Sequence, residues 1–143
     1  MIETVAVGTD GSVTAGKAVA AALDLAERFG ARLVVLSAFS GARDAAAAPR
    51  LSPSAHPEWA SNAAEHVERI LAAAEESAAQ RGVECSSAMA EGDPGEVLVE
   101  LAERQRADLL VVGSKGMERR ALGSVPNTVT HKASCSVLVV KTT

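Results

Sequence analysis

Two short runs in this chain, "LLVV" at 109–112 and "VLVV" at 137–140, are apolar at every position. A strand with one wet face alternates apolar and polar residues. An uninterrupted run needs cover on both faces, the condition met in parallel sheets sandwiched between helices. Five segments read as strands: "TVAVG" (4–8), "RLVVLSAF" (32–39), "VECSSAMA" (83–90), "DLLVVG" (108–113) and "SVLVVK" (136–141).

The stretches between them carry helical period. Ala15, Ala18, Val19, Ala22, Leu23, Ala26 and Phe29 recur at three and four, with Ser12 as N-cap and Gly30 as the stop. Val67, Ile70, Leu71, Ala74 and Ala78 form a second stripe that ends near Gly82. The third helix opens on "DPGE", where Asp93 caps, Pro94 takes the first turn and Glu96 stands at the capping-box position. The fourth starts at Gly123–Ser124 and runs to about Ala133. Residues 40–61, rich in Ala, Pro and Ser, lack any period. They read as a long loop of the kind that serves as a lid or stays disordered, with Trp59 tacking its end to the body.

The expected fold is therefore a single 1–143 α/β domain: a five-stranded, doubly wound parallel sheet with four helices. Right-handed crossovers and one reversal of winding give the strand order 3-2-1-4-5. The reversal falls between strands one and four, and open α/β sheets bind ligands at that point.

Composition narrows the function. Aromatic residues are only 2% of the chain and the net charge is −4, so neither a basic footprint nor stacking platforms for nucleic acid are present. No apolar run reaches membrane-spanning length and the N-terminus lacks a signal-peptide pattern, so a cytoplasmic location with no membrane partner is expected. Cys85 and Cys135 read as buried, reduced thiols. With three scattered histidines (His56, His66, His131) they show no zinc spacing, so no metal site is expected.

At the switch point two glycine-containing turns should meet. Strand one ends in "VGTDGS", and strand four runs into "GSKGMERRALGSV". Helix N-termini offer unpaired N–H groups and partial positive charge, which suit phosphate. Gly123 and Ser124 could cradle phosphates, and Asp10 could accept hydrogen bonds from a ribose or base. For the glycines the plain alternative is turn chemistry, and for Asp10 it is helping to start helix one. Arg119 and Arg120 read first as solvated surface charge and second as phosphate contacts.

Through "VAVGTDGS", "DLLVVGSKG" and "LGSVPNTVTHKASCSVLVV" the chain resembles a universal stress protein domain over its whole length. The resemblance implies the fold described, of the adenine nucleotide alpha hydrolase-like type, and in the ATP-binding branch a motif of Gly-x-x-Gly, nine residues, then Gly-Ser or Gly-Thr. Carried onto this chain, it implies a nucleotide site of Gly8, Thr9, Asp10, Ala38, Gly113, Gly116, Gly123, Ser124 and Val125. ATP or another adenine nucleotide would bind there, with Mg²⁺ arriving alongside ATP. It also implies a two-fold homodimer through strand five, at about 136–141, and a stress-response role exercised through contacts with unknown protein partners.

One departure stands out. Only six residues, "MERRAL", separate Gly116 from Gly123. A loop three residues shorter cannot follow the same path, which affects the terminal phosphates more than the nucleoside. No nucleophile elbow or nucleophile–base pair is evident, so no catalytic residue is assigned and binding rather than turnover is expected. The alternatives are a cAMP-binding member, a ligand-free member acting through protein contacts, and a slow ATPase. A phosphoacceptor receiver domain fits poorly. It needs an acidic cluster after strand one and an aspartate ending strand three, where this chain has Asp10 alone and "AEGDPGE".

Overall fold

The computed structural model describes residues 1–39, 55–114 and 123–142, without the side chains of 55–61. The strands are β1 (Thr4–Gly8), β2 (Arg32–Phe39), β3 (Cys85–Glu91), β4 (Leu109–Gly113) and β5 (Ser136–Val140). The helices are α1 (Val13–Phe29), α2 (Ala55–Gln80), α3 (Pro94–Arg104) and α4 (Ser124–Lys132). All strand pairs are parallel and the order is β3-β2-β1-β4-β5, as expected.

The two-residue period of the strands divides the core. Val5, Val7, Leu33, Val35 and Val111 point to one side, where Ala18, Ala22, Leu23 and Ala26 of α1 and Val67 and Leu71 of α2 cover them. Ala6, Val34, Leu36, Leu110 and Val112 point to the other, against Val97, Leu98 and Leu101 of α3 and Val129 of α4. Each of the buried Val and Leu side chains contributes about 1.5–3 kcal/mol by leaving water. Alanine dominates the buried face of α1, so this helix can lie close on β1 and β4 without aromatic filler.

At the N-terminal end of the sheet, Asp108 Oδ2 accepts from the Glu3 and Thr4 N–H groups at 2.9 and 3.0 Å. Those two hydrogen bonds hold its carboxyl below the ordinary carboxylate range. Arg32 donates to Thr4 Oγ1 and to the Gln105 carbonyl, completing the tie on that side.

Several local expectations are corrected. Residues 55–61, read as the end of the long loop, form the first turns of α2. Pro57 had argued for loop, yet in the first turn of a helix its missing N–H costs nothing. Residues 40–54 and the Trp59 side chain lie outside the described residues. β3 starts at Cys85 rather than 83, because Gly82 (φ 69) and Val83 are still closing α2, with the Val83 N–H donating to the Ala78 carbonyl at 3.0 Å. Glu96 does not complete a capping box. Its carboxylate pairs with Lys132 of α4, while Asp93 caps α3 by accepting from the Glu96 N–H at 3.2 Å. Cys85 and Cys135 are half-buried rather than buried, since β3 is a sheet edge and Cys135 directly precedes the other edge. Burial first, and Glu75 second, pushes the Cys85 thiol up to about 11.

Candidate functional site

Because β2, β1, β4 and β5 are parallel, their C-terminal ends open together, and the winding reverses between β1 and β4. A cleft of about 540 Å³ lies over this point. Eight of the residues expected there line it: Gly8, Thr9, Asp10, Ala38, Gly113, Gly123, Ser124 and Val125. Gly116, Arg119 and Arg120 lie outside the described residues.

The β1–α1 turn is built for close approach. A Cβ on Gly8 would stand 2.6 Å from Leu98 Cδ1, so any larger residue there would displace the Leu98 side chain that packs α3 beneath the end of β1. Gly11 has φ +82, a conformation that turns the chain sharply and that other residues adopt with difficulty. Side chains then fix the turn. Asp10 Oδ1 accepts from the Ser12 N–H at 2.9 Å, Thr9 Oγ1 from the Gly11 N–H at 3.1 Å, and Ser37 donates to the Thr9 carbonyl at 2.7 Å. Asp10 thus helps to shape the start of α1 and also borders the cleft; its exposed carboxylate is held by the turn.

The helix starts differ in a way that matters. Ser12 caps α1 by accepting from the Ala15 N–H at 3.1 Å, and Asp93 caps α3. At α4 the N-cap is Gly123, which has no side chain, and among the described residues no side-chain hydrogen bond closes that end. The first-turn N–H groups of a helix have no intrahelical acceptor. Here Pro126 supplies none, so the donors of Ser124 and Val125 are the ones without an intrahelical acceptor, with the positive end of the helix dipole behind them. The exposed Ser124 hydroxyl adds a third donor at the cleft wall.

These features fit an anionic ligand with a flat apolar part. Donors gather at α4, while Ala38 and Leu98 supply apolar surface further along the same cleft. A buried orphan polar atom, Thr142 Oγ1, belongs to the wall as well. Sequence reasoning missed Ser12, Thr14, Ala15, Pro94, Leu98, Val112, Pro126 and Thr142 as lining residues. Pro94 reads in the sequence only as the first turn of α3 and Leu98 lies on the buried face of that helix, and the packing of the helix under Gly8 brings both here. Thr142 carried no signal, being one of three polar residues, "KTT", that follow a strand. Among the described residues no three His, Cys, Asp or Glu side chains gather to hold a metal ion. Nor is any described helix long and apolar enough to cross a membrane.

Comparison with known proteins agrees with this architecture. The model of the universal stress protein family matches residues 1–141. The universal stress protein Rv1636 of Mycobacterium tuberculosis is 37% identical, over 99% of this chain and 97% of its own. A universal stress protein crystallised in complex with cAMP is similar at 32% identity and a TM-score of 0.74, covering 99% of this chain and 98% of its own. The protein MJ0577, at 22% identity and a TM-score of 0.80, shares the fold over 99% of this chain and 96% of its own. With the sheet order, the cleft and these matches in agreement, the chain belongs to the universal stress protein family.

Proposed function

We propose that this protein binds an adenine nucleotide in the cleft over the β1–β4 switch and works by binding rather than by turnover. The observation that carries this reading is the N-terminus of α4, which has no side-chain cap among the described residues and whose Gly123, Ser124 and Val125 line the same cleft as the Asp10 turn and Ala38. A phosphate would take those donors. Asp10 would accept from the ribose or base, and Ala38 would border the nucleoside. Gly8, Thr9 and Gly113 would let the ligand approach backbone.

cAMP is a second occupant with its own support, because the 32%-identical neighbour is a cAMP complex. A ligand with a single phosphate also makes the least demand on the short "MERRAL" segment. ATP, with Mg²⁺ accompanying it, would demand more of that segment and of Arg119 and Arg120.

The ligand state would alter contacts with protein partners in a stress response, and the protein would act as a homodimer. β5 ends the sheet, carries no proline, and leaves Leu138 37% exposed, so its free edge suits pairing with a second copy. A cytoplasmic location is part of the same proposal.

The test is the mass spectrum of small molecules released from freshly purified, denatured protein, followed by titration with ATP, AMP and cAMP. Release or binding of an adenine nucleotide is expected. Absence of both, with all three ligands at millimolar concentration, would leave the ligand-free reading standing. Enzyme-like ATP hydrolysis would overturn binding without turnover.

A further inference from the structure

We infer that Thr142, two residues beyond β5, is a phosphate-side contact of the nucleotide; this rests on the nucleotide-binding reading above. Thr142 is 2% exposed and forms part of the cleft wall. Its main chain is fixed on both sides: the N–H donates to Ser114 Oγ at 3.0 Å, and the carbonyl accepts from Lys17 Nζ at 3.3 Å. Ser114 is itself fully buried. The side chain is thereby pressed against Gly113, where an added Cβ would stand 3.1 Å from Thr142 Cγ2 and 3.8 Å from Oγ1. Only the hydroxyl is left over: Oγ1 is buried and, among the described residues, has no hydrogen-bond partner. Buried hydroxyls are seldom left so, and one that is marks a place where something else supplies the partner.

Its position says what that partner is. Across the strand ends the cleft passes Ala38 on β2, Gly8 on β1, Gly113 on β4 and then Thr142 past β5. That is three interstrand steps, about 14 Å. The apolar end lies at Ala38 and the helix donors at the β4 end. Lys17 belongs to α1, so Thr142 sits on the α1 side of the sheet, whereas α4 packs on the other. A phosphate at the α4 N-terminus would therefore have Ser124 and Val125 on one flank and Thr142 on the opposite one. Contact requires one χ1 step, a turn of about 120° that carries Oγ1 into the place now held by Cγ2 or by Hβ.

Thr142→Val keeps the shape and removes the hydroxyl, and Thr142→Ser keeps the hydroxyl. Titration calorimetry of the full chain with AMP, cAMP and adenosine, together with thermal unfolding without nucleotide, separates the outcomes. Thr142→Val should weaken AMP and cAMP by about 5–10-fold, the effect of one hydrogen bond. It should leave adenosine within about twofold and should not lower the melting temperature, since no existing hydrogen bond is lost. Thr142→Ser should stay near wild type. Wild-type affinity for AMP and cAMP in Thr142→Val, or an equal loss for adenosine, overturns the inference while the nucleotide-binding reading stands. A wild-type protein that binds none of these ligands overturns both.

Discussion

Placing a carboxylate at the N-cap of α4, with Gly123→Asp, should separate stability from binding. The backbone at Gly123 has φ −61 and ψ 168, an extended conformation that aspartate adopts without strain and that N-caps prefer. The new side chain would accept a first-turn N–H that now has no side-chain cap. Relative to glycine, such a cap adds a few tenths of a kcal/mol, and the charge at the positive helix end adds about 0.3–1 kcal/mol. The ligand-free protein should therefore melt about 1–4 °C higher. Binding should move the other way. One charge-assisted hydrogen bond to phosphate, about 1.5–3 kcal/mol, would be taken by the aspartate. Two negative charges about 4 Å apart would add at least ~1 kcal/mol of repulsion. The sum, about 3 kcal/mol, corresponds to a loss on the order of 100-fold in AMP affinity. Calorimetric titration with AMP and scanning calorimetry of the free protein give the two numbers, and adenosine, which lacks phosphate, is the control. Wild-type AMP affinity in Gly123→Asp would refute the argument that α4 seats the phosphate. A loss of stability would refute the view that its N-terminus lacks a cap.

Three further outcomes are expected. ATP should bind less than about 100-fold better than AMP or cAMP, because six residues between Gly116 and Gly123 leave little loop to hold terminal phosphates; calorimetry at fixed Mg²⁺ and ionic strength measures the ratio. Leu138→Lys should convert the proposed dimer to monomer in sedimentation experiments at micromolar concentration, since it puts charge on an exposed edge strand; a wild-type monomer would refute the dimer itself. The Cys85 thiol, raised from an ordinary 9.0 to about 11, should alkylate slowly at pH 8. The folded chain holds that proton longer than the unfolded one, so this contribution to stability is full below pH 9 and fades between pH 9 and 11. Comparison of Cys85→Ser with wild type in unfolding experiments across that range checks the sign.

Much of the scaffold was legible in the chain because it is encoded locally. The uninterrupted "LLVV" of β4 demanded two-sided cover, the alanine stripe of α1 announced a close-packed helix, and Ser12, Gly30 and Asp93 marked helix ends through contacts spanning a few residues. The placement of Gly8, Asp10 and Gly123 around one cleft also followed, since strand order fixes which loops meet, whereas Ala38 came from the family resemblance alone. What the sequence left open depends on partners distant along the chain. Pro57 weighed against helix until the helix was seen to begin just before it, so that its missing donor falls in the first turn. Glu96 had two uses open to it, and the approach of α4 gave its carboxylate to Lys132. Cys85 and Cys135 are half-buried because their segments lie at sheet edges, where one flank has no neighbouring strand. Thr142 is the clearest case. Its burial arises from Ser114, 28 residues away, and Lys17, 125 residues away, and no local pattern carries information about contacts of that range. Short-range hydrogen bonds and hydrophobic period belong to the sequence, whereas the surroundings of a single polar side chain exist only once the sheet has closed.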